Sequence, residues 1–231
     1  MDTRRHDGIF DYRFFSRPIH VIGVGGVGSH VVRHLVKLGC GQVSPLVLWD
    51  GDEVSAHNIA NQAYDLDDVG KLKVNACTRH ARRYGSSCEK LVPIREHFEG
   101  QANLEGIVFV CVDSMATRKM IWERSIKANR AVVGFIETRM DATMVIVNTI
   151  LPANESHAQR WEYEWHPDNE ATNDTAACGG HLSVGPTASM AADVAVWQFI
   201  HLANHLQGKG ALPPQQVRAH LRTMQFSSHH W

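Results

Sequence analysis

Four glycines, Gly23, Gly25, Gly26 and Gly28, follow a short apolar run, His20-Val21-Ile22. They open a helical pattern in which Val27, Val31, Leu35 and Leu38 recur every three or four residues. Glycine lacks a Cβ, so such a turn can take positive φ and let the main chain approach a phosphate. The start of the helix adds unpaired N–H groups and the positive end of its dipole, both of which suit an anion. A second apolar run, Leu46 to Trp49, ends in Asp50-Gly51-Asp52. A carboxylate there can accept hydrogen bonds from ribose hydroxyls, so strand, glycine turn, helix, strand and acid read as a nucleotide half-site. A tight turn with an ordinary surface acid would share the glycine spacing. The position of Asp50 favours the nucleotide.

Further polar residues follow in order: Asn58 and Gln62, then Lys73 in Val69-Gly70-Lys71-Leu72-Lys73, then Asp113 after Val110-Cys111-Val112. Alone, each has a plain reading. Asn58 would form a turn, Lys73 would be a solvated lysine on a helix, Asp52 would support its turn, and Asp113 beside Ser114 would cap a helix. Together they resemble the ThiF/MoeB-type family of ubiquitin-like-protein activating enzymes. Its members read GxGGxG, DxDxVxxxNxxRQ and VGxxK, followed by a distal Asp near the end of a fourth strand.

The resemblance implies adenylation, in which a carboxylate attacks the α-phosphate of ATP to give an acyl-adenylate and pyrophosphate. Such a step needs positioning and charge neutralisation more than covalent help. By the same resemblance, amides of Gly25 to Gly28 hold the phosphate region and Asp50 reads the ribose. Asn58 and Lys73 contact phosphates, Gly23, Asp52 and Gln62 complete the nucleotide set, and Asp113 holds Mg2+ directly or through water. The implied partner is a small ubiquitin-like or sulfur-carrier protein with a slim Gly-Gly tail, and the implied assembly is a homodimer.

One residue departs from the family. Asn61 stands where NxxRQ has arginine, which removes a bidentate phosphate donor. Lys71, Arg118 or an N-terminal arginine, Arg13 or Arg17, could compensate; otherwise adenylation is weak or absent. Cys178, in Ala177-Cys178-Gly179-Gly180-His181, matches a cysteine that takes part in sulfur or acyl transfer in some relatives. An unreactive thiol beside a glycine turn is the favoured of its two readings. Three rivals stand beside the carrier-activating one: a tRNA threonylcarbamoyladenosine dehydratase, a nicotinamide-dependent oxidoreductase, and a non-catalytic partner subunit of the same fold.

The totals restrict these choices. A length of 231 residues suits one domain over 1–231, with an N-terminal arm at 1–17 and a long loop at 152–177. A net charge of −1 supplies no global field for nucleic acid or anionic membrane. No apolar segment resembles a signal peptide or approaches membrane-spanning length, which points to the cytoplasm. The five cysteines form no CxxC pair, arguing for a reducing compartment and against a disulfide framework. Many relatives carry two such pairs, so no zinc is expected. The fifteen histidines are scattered and read as surface or packing residues.

The elements that must position these groups follow from periodicity. A helix is predicted over Lys71–Tyr84, a strand over Glu89–Ile94, a buried strand over Gly106–Val112, and a helix from Ser114 to Ala128. Strands over Ala131–Ile136 and Thr143–Leu151 form a hairpin. The predicted fold is therefore α/β, a Rossmann-like doubly wound sheet, mainly parallel with antiparallel strands added in the C-terminal half. In the long loop, Trp161, Tyr163 and Trp165 serve equally well as a docking surface or as pins onto the domain. Gly185-Pro186 opens a long helix with Ala188, Ala192, Ala195, Phe199, Leu202 and Leu206 on one face. A short strand is predicted near Leu221–Phe226.

Overall fold

Eight strands form one sheet in the order β3-β2-β1-β4-β5-β6-β7-β8 in the computed structural model, which describes residues 2–84, 89–168 and 183–231. β1 (Ile19–Ile22), β2 (Leu46–Trp49), β3 (Leu91–Ile94), β4 (Gly106–Val110) and β5 (Val132–Met140) pair in parallel. β6 (Met144–Ile150), β7 (Gln216–His220) and β8 (Gln225–His229) continue from β5 in antiparallel pairing. The expected Rossmann-like sheet, parallel first and antiparallel in its C-terminal half, is the fold observed. The chain leaves β1 toward β2 and β3, then returns to place β4 on the other side. That reversal opens a crevice at the carboxyl ends of β1 and β4.

Every residue of β1 and β4 is buried, which explains why they are apolar apart from His20: both faces of the sheet are covered. α1 (Gly26–Lys37), α2 (Lys73–Arg83) and α5 (Gly185–Leu206) contribute to one apolar layer, centred on Val31, Leu35 and Phe199. α3 (Met115–Ile121) and α4 (Glu155–Tyr163) contribute to the other, centred on Trp122, Phe135 and Trp161. After α3 the helix widens into one π turn at Trp122–Ile126.

Several local expectations are corrected. The stretch read as a loop from 152 contains α4, which Asn154 caps by accepting from the Ser156 and His157 amides. Its surface is so polar that only His157 and Trp161, one turn apart, are buried. The three aromatic rings form no common surface. Trp161 is 1% exposed and stacks 4.7 Å from Trp122, Tyr163 is 80% exposed, and Trp165 Nε1 donates to the Met115 carbonyl at 3.0 Å. The N-terminal arm packs onto the domain, where Phe10 and Phe15 bury their rings against Phe199. The single C-terminal strand is instead a hairpin, turning at Met224 with φ 54°. Among the described residues no helix is long and apolar enough to cross a membrane.

Candidate functional site

The site starts where β1 ends. Gly23 turns the chain at φ 82°, and α1 begins at Gly26. A Cβ on Gly28 would lie 1.9 Å from the Gly23 carbonyl oxygen, so α1 can approach β1 this closely only with glycine there. Gly25 differs. A Cβ on it would meet nothing within 4 Å, and its φ is −80°. Neither sterics nor φ calls for glycine at that position. Its missing side chain leaves room directly in front of the first, unpaired amides of α1.

Asp50, at the end of β2, is buried and holds this turn. One carboxylate oxygen accepts from the Val24 amide and the other from the Asp52 amide, both at 2.8 Å. Each oxygen keeps a further lone pair for a ligand hydroxyl. Two cavities meet at the carboxyl end of β4, sharing Cys111, Val112 and Asp113. One, of about 210 Å³, is bordered by Gly23, Gly25, Asp50, Asp52, His97 and Asp113. The other, of about 220 Å³, is bordered by Gly26, Asn61, Gln62, Asp113, Arg118 and Ser183.

The residues singled out in the sequence thus converge unevenly. Gly23, Gly25, Asp50, Asp52 and Asp113 surround the first cavity, while Gly26 and Gln62 face the second. Lys73 stands behind the first, with Nζ 2.7 Å from the Asp52 carboxylate. Asn58 borders neither cavity; its Oδ1 accepts from the Ser55 amide at 2.9 Å and shapes the turn before Gln62. Cys178 lies outside the described residues.

Of the candidates to replace the family arginine, only Arg118 reaches the cleft. Its buried guanidinium donates to the Asp113 carbonyl at 3.0 Å and the Thr138 carbonyl at 2.9 Å. It also pairs with Glu137 at 2.9 Å. Lys71 bonds the Asp67 carbonyl, and Arg13 pairs with Asp11 at 2.6 Å and Asp7 at 2.8 Å. Both Arg13 and Arg17 precede β1, at the end of the strand opposite the glycine turn.

Glu137 is fully buried between Arg118, Arg139, Asn148 and Trp161. Burial pushes its pKa up, but the charges of Arg139 and Arg118 and hydrogen bonds from Arg139 and Asn148 outweigh this and hold it below the ordinary value. Glu137 therefore remains a carboxylate that anchors Arg118. Cys111 borders both cavities, yet burial pushes its thiol up to about 12, so at neutral pH it is not a nucleophile.

His97, Phe98, Glu137 and Ser183 were not found from the sequence. His97 and Phe98 follow β3 in an irregular segment, where Phe98 meets Trp49 edge-on at 5.1 Å. The one available signal was Gly51, since a Cβ there would lie 2.9 Å from the His97 ring. Away from the cleft, Asp65, Asp68 and His80 gather in one place. Arg79 and His80 pair with Asp68 and the Asp65 amide donates to it, so this is an ion-pair cluster.

The chemistry follows from charge. Around the first cavity stand Asp50, Asp52 and Asp113, and of these Asp52 is paired with Lys73. A bare polyphosphate would be repelled, whereas one carrying a divalent cation would not. The Asp113 carboxylate is exposed and makes no hydrogen bond or ion pair among the described residues, which fits a hard cation such as Mg2+. The open space at Gly25 fits a phosphate group.

Comparison with known proteins places this geometry. The ThiF family model matches residues 12–231. Adenylyltransferase and sulfurtransferase uba4 of Aspergillus niger is 24% identical over 178 residues, covering 74% of this chain and 36% of that protein. tRNA threonylcarbamoyladenosine dehydratase 2 of Saccharomyces cerevisiae is 40% identical over 82 residues, covering 35% of this chain and 17% of that one. The chain thus spans about a third or less of the length of these curated relatives. Among solved structures, PaaA aligns with a TM-score of 0.69 at 19% identity, over 99% of this chain and 68% of that chain. E. coli MccB with ATP aligns with a TM-score of 0.67 at 16% identity, over 92% and 63%. At these identities the structural likeness concerns the fold.

Proposed function

The chain belongs to the ThiF family, and on that premise we propose that it adenylates the C-terminal carboxylate of a small ubiquitin-like or sulfur-carrier protein, using ATP and Mg2+. The observation that carries this reading is the open space before Gly25, flanked in one cavity by Asp50 and Asp113. A carboxylate oxygen of the carrier tail attacks the α-phosphorus, the bond to the bridging oxygen breaks, and pyrophosphate leaves. The attacking group is already ionised, so no general base is required. Bound Mg2+ would supply charge neutralisation on the phosphates, with Asp113 as its protein ligand.

The chain's own residues do the rest. Amides at the start of α1 hold phosphate oxygens, and Asp50 fixes the turn while accepting from the ribose. Lys73 acts through and beside Asp52. Arg118, anchored by Glu137, supplies the cation that Asn61 does not. The carrier enters by a narrow Gly-Gly tail, the enzyme works as a zinc-free homodimer in the cytoplasm, and 1–231 acts as one adenylation domain. Onward transfer, where it occurs, uses Cys178.

The test is carrier-dependent exchange of labelled pyrophosphate into ATP, using proteins found by mass spectrometry to co-purify. Exchange that needs both carrier and Mg2+ supports the reading, and its absence with every co-purifying protein removes it. The match to the yeast dehydratase favours one alternative, activation of a carboxylate on modified tRNA. AMP release driven by threonylcarbamoylated tRNA would select that substrate instead.

A further inference from the structure

Two buried amide oxygens beside the second cavity have no hydrogen-bond partner among the described residues. Asn61 donates its Nδ2 to Ser183 Oγ, which leaves Asn61 Oδ1 without a hydrogen bond, and Gln62 Oε1 is in the same condition. Both residues face the cavity beside Asp113 and Arg118. A buried acceptor with no donor destabilises the fold. Two in succession on one wall therefore point to a ligand that brings donors.

Phosphate does not fit that requirement, because its oxygens are acceptors and Asp113 stands close by. An extended peptide does, since its main chain presents an N–H at every residue. The rest of the cavity agrees with such an occupant. Arg118 puts a guanidinium on the same space, suited to a terminal carboxylate. Opposite, Gly26 leaves only a narrow gap, with Met140 Cε 3.6 Å from where a Cβ would lie.

We infer that Asn61 and Gln62 are specificity residues that accept hydrogen bonds from the main-chain N–H groups of the last two residues of a peptide tail lying in the second cavity. The inference rests on the adenylation reading and adds the tail's orientation and the means of its recognition. Asn61 is then a replacement with a purpose: the position has exchanged a phosphate donor for an amide that ties Ser183 and receives the tail.

The experiment uses the full chain and two synthetic hexapeptides ending in Gly-Gly, one of them N-methylated on both terminal glycines. Binding is measured by calorimetry with Mg2+ and a non-hydrolysable ATP analogue present. The wild-type chain is expected to favour the unmethylated peptide by about tenfold, the effect of one or two neutral hydrogen bonds. Gln62→Leu is expected to lose that preference and melt no lower than the wild type, because the lost oxygen had no partner among the described residues. A glutamine with only a structural role would lower the melting temperature. Equal binding of the two peptides, no binding of either, or a Gln62→Leu chain that loses the nucleotide and keeps the peptide each overturns the inference. Failure of the wild-type chain to bind the nucleotide would instead strike at the adenylation reading itself, so the two failures are told apart.

Discussion

Lys73 Nζ lies 2.7 Å from the carboxylate of Asp52, which borders the cavity beside the glycine turn. The lysine side chain is 10% exposed and the aspartate 53%, so the pair is screened and contributes about 0–1 kcal/mol. Lys73→Ala is therefore expected to shift the melting temperature by no more than about 2–4 °C. The same change removes the lysine charge from beside Asp52, which borders the cavity. Calorimetry should show Mg·ATP affinity falling at least about tenfold. An unchanged affinity would confine Lys73 to holding the start of α2.

Two glycines in one turn should respond in opposite ways. Gly28→Ala forces a methyl to 1.9 Å from the Gly23 carbonyl, a backbone clash no rotamer relieves. Denaturant unfolding should show a loss on the order of 1–3 kcal/mol or more. Gly25→Ala meets open space, so it should cost less stability than Gly28→Ala. Its Mg·ATP binding should nevertheless be lost, because the methyl occupies the phosphate's place. A Gly25→Ala chain that binds ATP normally would show that no phosphate sits there.

The pattern of these glycines explains why the first half of the chain could be read from the sequence. Gly23, Asp50 and Asp113 lie just past the ends of short buried strands, where apolar runs mark the strand and the residue after it marks the site. The second half was harder. α4 buries only His157 and Trp161, so its apolar period is too sparse to recognise. Glu137 sits in the middle of β5, where a charged residue reads as a strand end; its partners Arg118 and Asn148 come from other elements. Phe10 and Phe15 gain their meaning only from Phe199, which no local pattern could bring beside them.

Trp161 tests the corrected reading of the aromatic residues. Its ring packs against Trp122 and Phe135, and its Nε1 donates to Glu137. Trp161→Ala should cost about 3–5 kcal/mol in denaturant unfolding. Tyr163→Ala, on the exposed side, should be close to neutral. If Trp161→Ala left stability unchanged, the second apolar layer would not depend on that ring.

A pH dependence follows from His30, buried in α1. Burial, with the Arg33 charge second, lowers its pKa from 6.5 to about 4. A lowered folded value means the unfolded chain takes up the proton first. The stability His30 allows is complete above pH 6.5 and declines as pH falls toward about 4. Thermal melts of His30→Leu across that window should show a shallower decline than wild type. Parallel curves would remove His30 as a source of the slope.

Activation of a peptide carboxylate at the α-phosphate of ATP is tested most directly by following an oxygen atom. A Gly-Gly-ending carrier, labelled with heavy oxygen in its terminal carboxylate, is incubated with the full chain, ATP and Mg2+. The adenylate is then trapped with hydroxylamine and the released AMP is weighed by mass spectrometry. The expected result is AMP carrying one heavy oxygen, formed only when Mg2+ is present. Unlabelled AMP, or none, would show that the carboxylate never attacks the phosphorus.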